Sequence, residues 1–336
     1  MMEKKIFFVL AVIFACISSN AAFTQSRAGE DGSNWMKNNI GLLGRRTLKQ
    51  ICIPGSHDSG MSVYNKGTAL AHPCNVLTQS VPIRNQLEFG ARYFDVRPVL
   101  EKGEFLTGHY SKLPGGNYQG GNGQSIKSIL DEINKFIASH NELVLVRLSK
   151  SLNTEKSRPF DSQEWERLFQ VLDNTKNLFY TSNGNIYLPG VTLDQFTNKG
   201  KKGAVLYIIN EAGVNLGSRL GKGYFYYSNL DPYSKYSNTH SLQTMMKDQI
   251  NKMKDASRNS YFLLSWTLTQ GGKNAGLCRV KLGKSIKDLS AEANSKLWDI
   301  VQEVSQHAFP NILYVDDIRD TSVVNVVMEI NKRLNA

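Results

Sequence analysis

A histidine stands beside an aspartate just past a short apolar run. Ile51-Cys52-Ile53 is followed by a Pro54-Gly55 turn and then by Ser56-His57-Asp58-Ser59-Gly60. By itself such a pair in a turn does no more than cap backbone amides. Farther along, Asp95 and Arg97 lie two apart, so on a strand both side chains share one face. His109 follows at the end of a short strand expected over 105–107. An arginine stays charged and carries a rigid fork of donors suited to phosphate. Two histidines, one arginine and nearby carboxylates are the parts needed to cleave a phosphodiester without a metal. One histidine takes a proton from the attacking hydroxyl, and the other gives one to the leaving oxygen.

These groups need a frame. Apolar runs at 50–53, 91–96, 105–107, 143–148, 204–209, 261–267 and 312–316 read as strands. Helical spacing fills the gaps at 125–140, 162–173, 241–256, 290–308 and 323–334. Alternation of short apolar strands with helices predicts a parallel sheet, with catalytic groups on the loops that follow strands. The glycine-rich stretch 113–123 after His109 reads as either a mobile rim or a plain connector. The aromatic stretch 221–236 reads as either an exposed lipid-facing loop or, for Tyr224, Phe225 and Tyr227, a buried strand.

The order IPGSHDSG, then GARYFDVR, then a histidine-bearing strand end resembles the catalytic X-region of phosphatidylinositol-specific phospholipase C, in its bacterial single-domain form. The likeness is strong over residues 35–110 and weaker to 331. It implies a TIM-type (β/α) barrel, irregular or incompletely closed. It further implies cleavage of phosphatidylinositol, free or glycan-linked, to diacylglycerol and inositol 1,2-cyclic phosphate. His57 matches the general base and His109 the general acid. Asp58 matches the carboxylate that orients His109, and Arg97 the phosphate-binding group. A further acid is expected beside His57 from the last strand. Alternation along that strand favours Asp316, while the likeness leaves Asp317 open. Asp231 and Tyr233 resemble the family's Asp-x-Tyr pair at the inositol. Asn210 stands where bacterial relatives offer an arginine to the ring, and Ser149 where a lysine is typical. Calcium-dependent relatives carry an asparagine after the first histidine and added acids. Asp58, Arg97 and Ser149 at those places imply no metal and no other cofactor. A related barrel phosphodiesterase is a second reading, disfavoured by Arg97. A silent lipid- or glycan-binding module is a third, and would have lost a histidine or the arginine.

The bulk properties fit. The chain has 336 residues, 41% hydrophobic and 21% charged, enough for one barrel domain over 23–336. Residues 1–22 read as a signal peptide, with Lys4 and Lys5 before an apolar core and small residues after it. A secreted protein is therefore expected. The polar end at 331–336 is unlike a lipid-anchor tail. The formal charge of +11 favours anionic surfaces, hence transient binding to a membrane that carries the phosphatidylinositol headgroup. Scattered lysines and no recognisable motif argue against nucleic acid, and a monomer is expected. Of four cysteines, Cys16 falls in the signal, Cys52 in a buried strand, and Cys74 and Cys278 in loops where they could pair.

Overall fold

Runs of Ile, Leu, Val and Tyr form eight parallel strands, which the computed structural model describes within residues 29–256 and 260–334. The expected signal peptide and Cys16 lie outside the described residues. In chain order the strands are β1 (Ile53–Ser56), β2 (Tyr93–Val96), β3 (Leu143–Ser149) and β4 (Ala204–Asn210). Then come β5 (Tyr224–Tyr226), β6 (Pro232–Tyr233), β7 (Tyr261–Ser265) and β8 (Ile312–Val315). Each strand neighbours the next in sequence from β1 to β5 and from β6 to β8, and β8 returns to pair with β1. That is the strand order of a (β/α) barrel. Its seam lies between β5 and β6, which stand at the two ends of the sheet. The barrel is thus incompletely closed and irregular, as the resemblance implies. The seam strands are the weakest pairers. β5 has three residues, and β6 has two and opens on Pro232, which lacks an amide donor.

Register brings one rim together. Ser56 pairs with Val315, Val96 with Leu148, and Ser149 with Asn210. The residues just beyond these pairs therefore share the C-terminal mouth. The cluster of buried hydrophobic side chains runs from Trp35 to Ile330. A buried ion pair, Arg92 to Glu142 at 2.9 Å, ties the start of the described chain to it. Arg92 also donates to the carbonyls of Gly32, Ser33, Leu87 and Ala91, and Glu142 accepts from the amides of Met36 and Lys37.

Three expectations need correction. His109 does not end a short strand. It lies within Glu104–Lys112, which pairs antiparallel with Tyr118–Ser125. Most of the glycine-rich stretch is therefore a strand, and only 113–117 is turn. Glycine is needed there because a Cβ at Gly120 would strike the His109 carbonyl. Next, 290–308 is not one helix but Ile286–Asn294 and Asp299–Glu303. The first stops where Asn294 turns its amide to the Asp316 carbonyl at 2.9 Å. Finally, the aromatic stretch divides. Tyr224 and Phe225 are buried in β5, whereas Tyr236 is 61% exposed. The other helices match their spacing. Ile126–Ile137 buries Ile126, Ile129, Leu130, Ile133 and Ile137 behind an N-cap at Ser125.

Candidate active site

β1 extends by one hydrogen bond past its end, from the His57 amide to the Val315 carbonyl at 2.9 Å. The chain then bends sharply, with Asp58 at φ 43°. Side chains from the next segment clamp this loop. Gln79 donates to the His57 carbonyl, Thr78 to the Asp58 carbonyl, and Gln86 to the Ser59 carbonyl, each at 2.9 Å.

His57 is held at both ring nitrogens. Nδ1 is 2.7 Å from Asp316 Oδ1, and Nε2 is 2.7 Å from Arg97 Nη2. A guanidinium only donates, so Nε2 is the acceptor and the ring proton sits on Nδ1, facing Asp316. The same arginine donates from Nη1 to Asp58 Oδ2 at 2.9 Å, and from Nε and Nη2 to Asp95 Oδ2 at 3.2 and 3.1 Å. Tyr314 closes the far side of Asp95 with a 2.7 Å bond to Oδ2, and Ser149 donates to Oδ1 at 3.2 Å. His109 Nδ1 lies 2.9 Å from Asp58 Oδ2. That contact lies off the hydrogen-bond line, for Nδ1 has no aligned partner and neither does Asp58 Oδ1. Burial alone would raise both carboxylates. Arg97 outweighs it, assisted by His109 at Asp58 and by Arg147 at Asp95, and holds both below the usual range. The same burial would lower Arg97, but Asp58 and Asp95 keep it firmly charged.

The comparisons with known proteins bear on this frame. No family model matches the chain. A PI-PLC X-box domain-containing protein of Dictyostelium discoideum is 27% identical over 128 residues, covering 34% of this chain and 16% of that protein. Among solved structures, the phosphatidylinositol-specific phospholipase C of Staphylococcus aureus matches with a TM-score of 0.62. It is 17% identical, with 89% of this chain and 97% of that one covered. The Listeria monocytogenes enzyme matches with a TM-score of 0.58 at 18% identity, covering 89% and 98%. The fold is that of the bacterial phosphatidylinositol-specific phospholipases C.

Within this phospholipase C fold, His57, Asp58, Arg97, His109 and Asp316 come together at the C-terminal mouth of the barrel, where such barrels carry their active sites. Asp317 turns away at φ 58° and pairs with Arg319. The other candidates scatter. Ser149 is buried beneath Asp95. Asn210 meets Arg147, and with its amide oxygen turned that way it accepts from Nε at 3.1 Å and Nη2 at 2.6 Å. Asp231 precedes β6 and so lies at the opposite end of the sheet from the mouth. Tyr233 stacks on Phe262 at 5.9 Å. On that side Ser234 and Tyr236 line the cavity instead.

Three groups escaped the sequence reading. Arg147 reaches within 3.5 Å of Asp95 Oδ1 and lies over the Tyr227 ring at 5.2 Å. Its signal was a lone charge inside the apolar run LVLVRLS, on the face that also carries Ser149. Lys150 lines the cavity from a left-handed residue at φ 54°. The charge of Arg97, then burial, lowers the Lys150 ammonium below its usual range. Tyr314 sits edge-on to His57 at 5.1 Å, two residues before Asp316.

Proposed function

We propose that this chain is a metal-independent phosphatidylinositol-specific phospholipase C, acting as a phosphorus–oxygen lyase. The observation that carries the reading is the unprotonated Nε2 of His57, which accepts from Arg97 while Nδ1 faces Asp316. With substrate in place, Nε2 takes the proton of the inositol 2-hydroxyl. That oxygen forms a bond to phosphorus, and the bond from phosphorus to the glycerol oxygen breaks. His109, oriented by Asp58, gives its proton to the departing oxygen. The products are inositol 1,2-cyclic phosphate and diacylglycerol, and no water is consumed. Attack within one molecule carries a proximity advantage. Arg97 turns a donor to the phosphate and offsets the charge that grows there. It already engages Asp58 and Asp95, the carboxylates a cation would otherwise use.

The headgroup lies toward Arg147 and Lys150, whose donors suit ring hydroxyls. The chain acts as one catalytic domain, probing membrane surfaces transiently as a monomer. Secretion with loss of residues 1–22 accords with the Cys74–Cys278 disulfide, since such bonds persist in oxidising compartments.

The test is phosphorus NMR with phosphatidylinositol vesicles and excess EDTA. A cyclic inositol phosphate signal supports the reading, and its loss in His57→Ala with an unchanged melting point assigns the base. Turnover that requires added calcium or magnesium would refute the metal-free lyase.

A further inference from the structure

A second cavity, of about 180 Å³, lies on the small antiparallel sheet that carries His109. That sheet has five strands, in the spatial order Lys66–Gly67, Tyr118–Ser125, Glu104–Lys112, Pro98–Glu101 and Leu152–Asn153. Register sorts its two faces. Lys66 pairs with Asn122, Asn122 with Gly108, and Val99 with both Leu106 and Leu152. Tyr110 pairs with Gly120, which makes Tyr118 its diagonal neighbour. Lys66, Glu101, Tyr110, Tyr118 and Leu152 therefore share one face, and all five line the cavity. His109 leaves the other face, toward Asp58. Glycine makes the depression. Gly108 and Gly120 put no side chain on this face, and a Cβ at Gly108 would lie 2.7 Å from the Tyr110 ring, which packs against bare backbone there.

The lining groups are tied to one another. Lys66 pairs with Glu101, Asn122 donates to Glu101, and Tyr110 donates to Asn122 at 2.8 Å. The single ammonium and the single carboxylate of the lining cancel, so neither an anion nor a cation meets a free opposite charge. Hydrogen-bonding capacity is left over. Lys66 has donors to spare, and the hydroxyls of Tyr118 and Ser157 make no hydrogen bond among the described residues. The two tyrosine rings and Leu152 add carbon surface. We propose that this groove binds one neutral ring bearing several hydroxyl groups, a pyranose sugar or a cyclitol. Its C–H face lies on tyrosine and its hydroxyls meet Lys66, Glu101 and Ser157. The volume is below the roughly 300 Å³ at which sites for drug-sized ligands begin, and it suits a single ring. Tyr110 borders this groove and the mouth cavity alike, but the inference does not rest on the lyase reading.

Saturation-transfer NMR on the full chain tests this, with the methyl pyranosides of glucose, mannose and galactose and with myo-inositol, each in large excess. The expected result is transfer to the ring C–H protons of at least one of the four. Whichever responds tells a sugar from a cyclitol. Tyr118→Ala is expected to weaken that ligand roughly ten-fold, by loss of the stacking surface. Lys66→Met, at a side chain 61% exposed, is expected to weaken it as well while leaving the melting point alone. Tyr236→Ala, which alters only the mouth, is expected to leave binding unchanged. No transfer to any of the four would overturn the site. Transfer that survives both Tyr118→Ala and Lys66→Met, or that falls only with Tyr236→Ala, would overturn its placement in this groove.

Discussion

The ring proton of His57 sits on Nδ1 because Arg97 can only donate to Nε2 and Asp316 can only accept. Asp316 therefore does more than place the ring. On the lyase reading it would also stabilise the imidazolium formed when Nε2 takes a proton. Asp316→Asn keeps the shape but removes the charge. On the lyase reading it is expected to lower kcat by roughly 10²–10⁴-fold with little change in KM. Steady-state assays beside a thermal melt check this, and a melting point near that of the parent separates chemistry from folding. Arg147 is the residue whose role grew most. It spends its charge on Asp95 and its face on Tyr227, yet still lines the cavity.

Among elements, the hairpin that carries His109 depends on contacts with no room to spare. Thr107 donates to the Gly60 or Gln124 carbonyl, each 3.0 Å away, and a Cβ at Gly60 would strike the Thr107 side chain. Gly60→Ala is expected to displace the hairpin and reduce kcat at least ten-fold while circular dichroism stays native. The disulfide is the second long-range tie. It closes a span of 204 residues, which the chain-entropy model values at about 5 kcal/mol. Cys74→Ser/Cys278→Ser is expected to lower the melting point, and reductant to lower that of the parent alone. A melting point unaffected by reductant in the parent would deny the bond any stabilising role. Cys52 contributes nothing to such tests, since burial raises its thiol far above the usual range.

At the scale of the whole molecule, the charged centre couples stability to pH. Asp95 is buried, and Arg97 and Arg147 hold its carboxyl below the usual 3.8. A carboxylate depressed in the folded state stabilises fully above its unfolded pKa and less as pH falls through the folded one. Asp95→Asn is expected to cost about 3–5 kcal/mol at pH 7, because Arg147 loses its carboxylate and Arg97 one of its two. The gap should narrow below about pH 4, where the Asp95 carboxyl of the unfolded parent takes up a proton that the folded parent does not yet bind. Urea titrations at pH 7 and pH 3 measure both gaps, and a gap that widens at pH 3 would refute the sign. Among the described residues no helix is long and apolar enough to cross a membrane. At the barrel mouth Leu70, Leu113 and Tyr236 stand exposed, and on the lyase reading these are the side chains that would meet lipid.

By itself the sequence determined what is local. Apolar runs marked six of the eight barrel strands and, at 105–107, part of the hairpin strand that carries His109, and helical spacing marked the layer around them. The motifs singled out His57, Asp58, Arg97 and His109, because a turn after a strand and a two-residue spacing are properties of neighbouring residues. Only the tertiary structure decided what depends on distant pairing. Strand β8 ends at Val315, so Asp316 meets His57 while Asp317, also buried, pairs with Arg319. Glycine-rich Tyr118–Ser125 became a strand because Glu104–Lys112 was there to pair with it. Asp231 fell at the far end of the sheet because β6 runs parallel to β7 and begins beside Tyr261. The mouth cavity drew on Arg147 and Lys150, which no motif flags. Local propensity acts within a few residues, whereas register and closure are set by contacts across much of the chain.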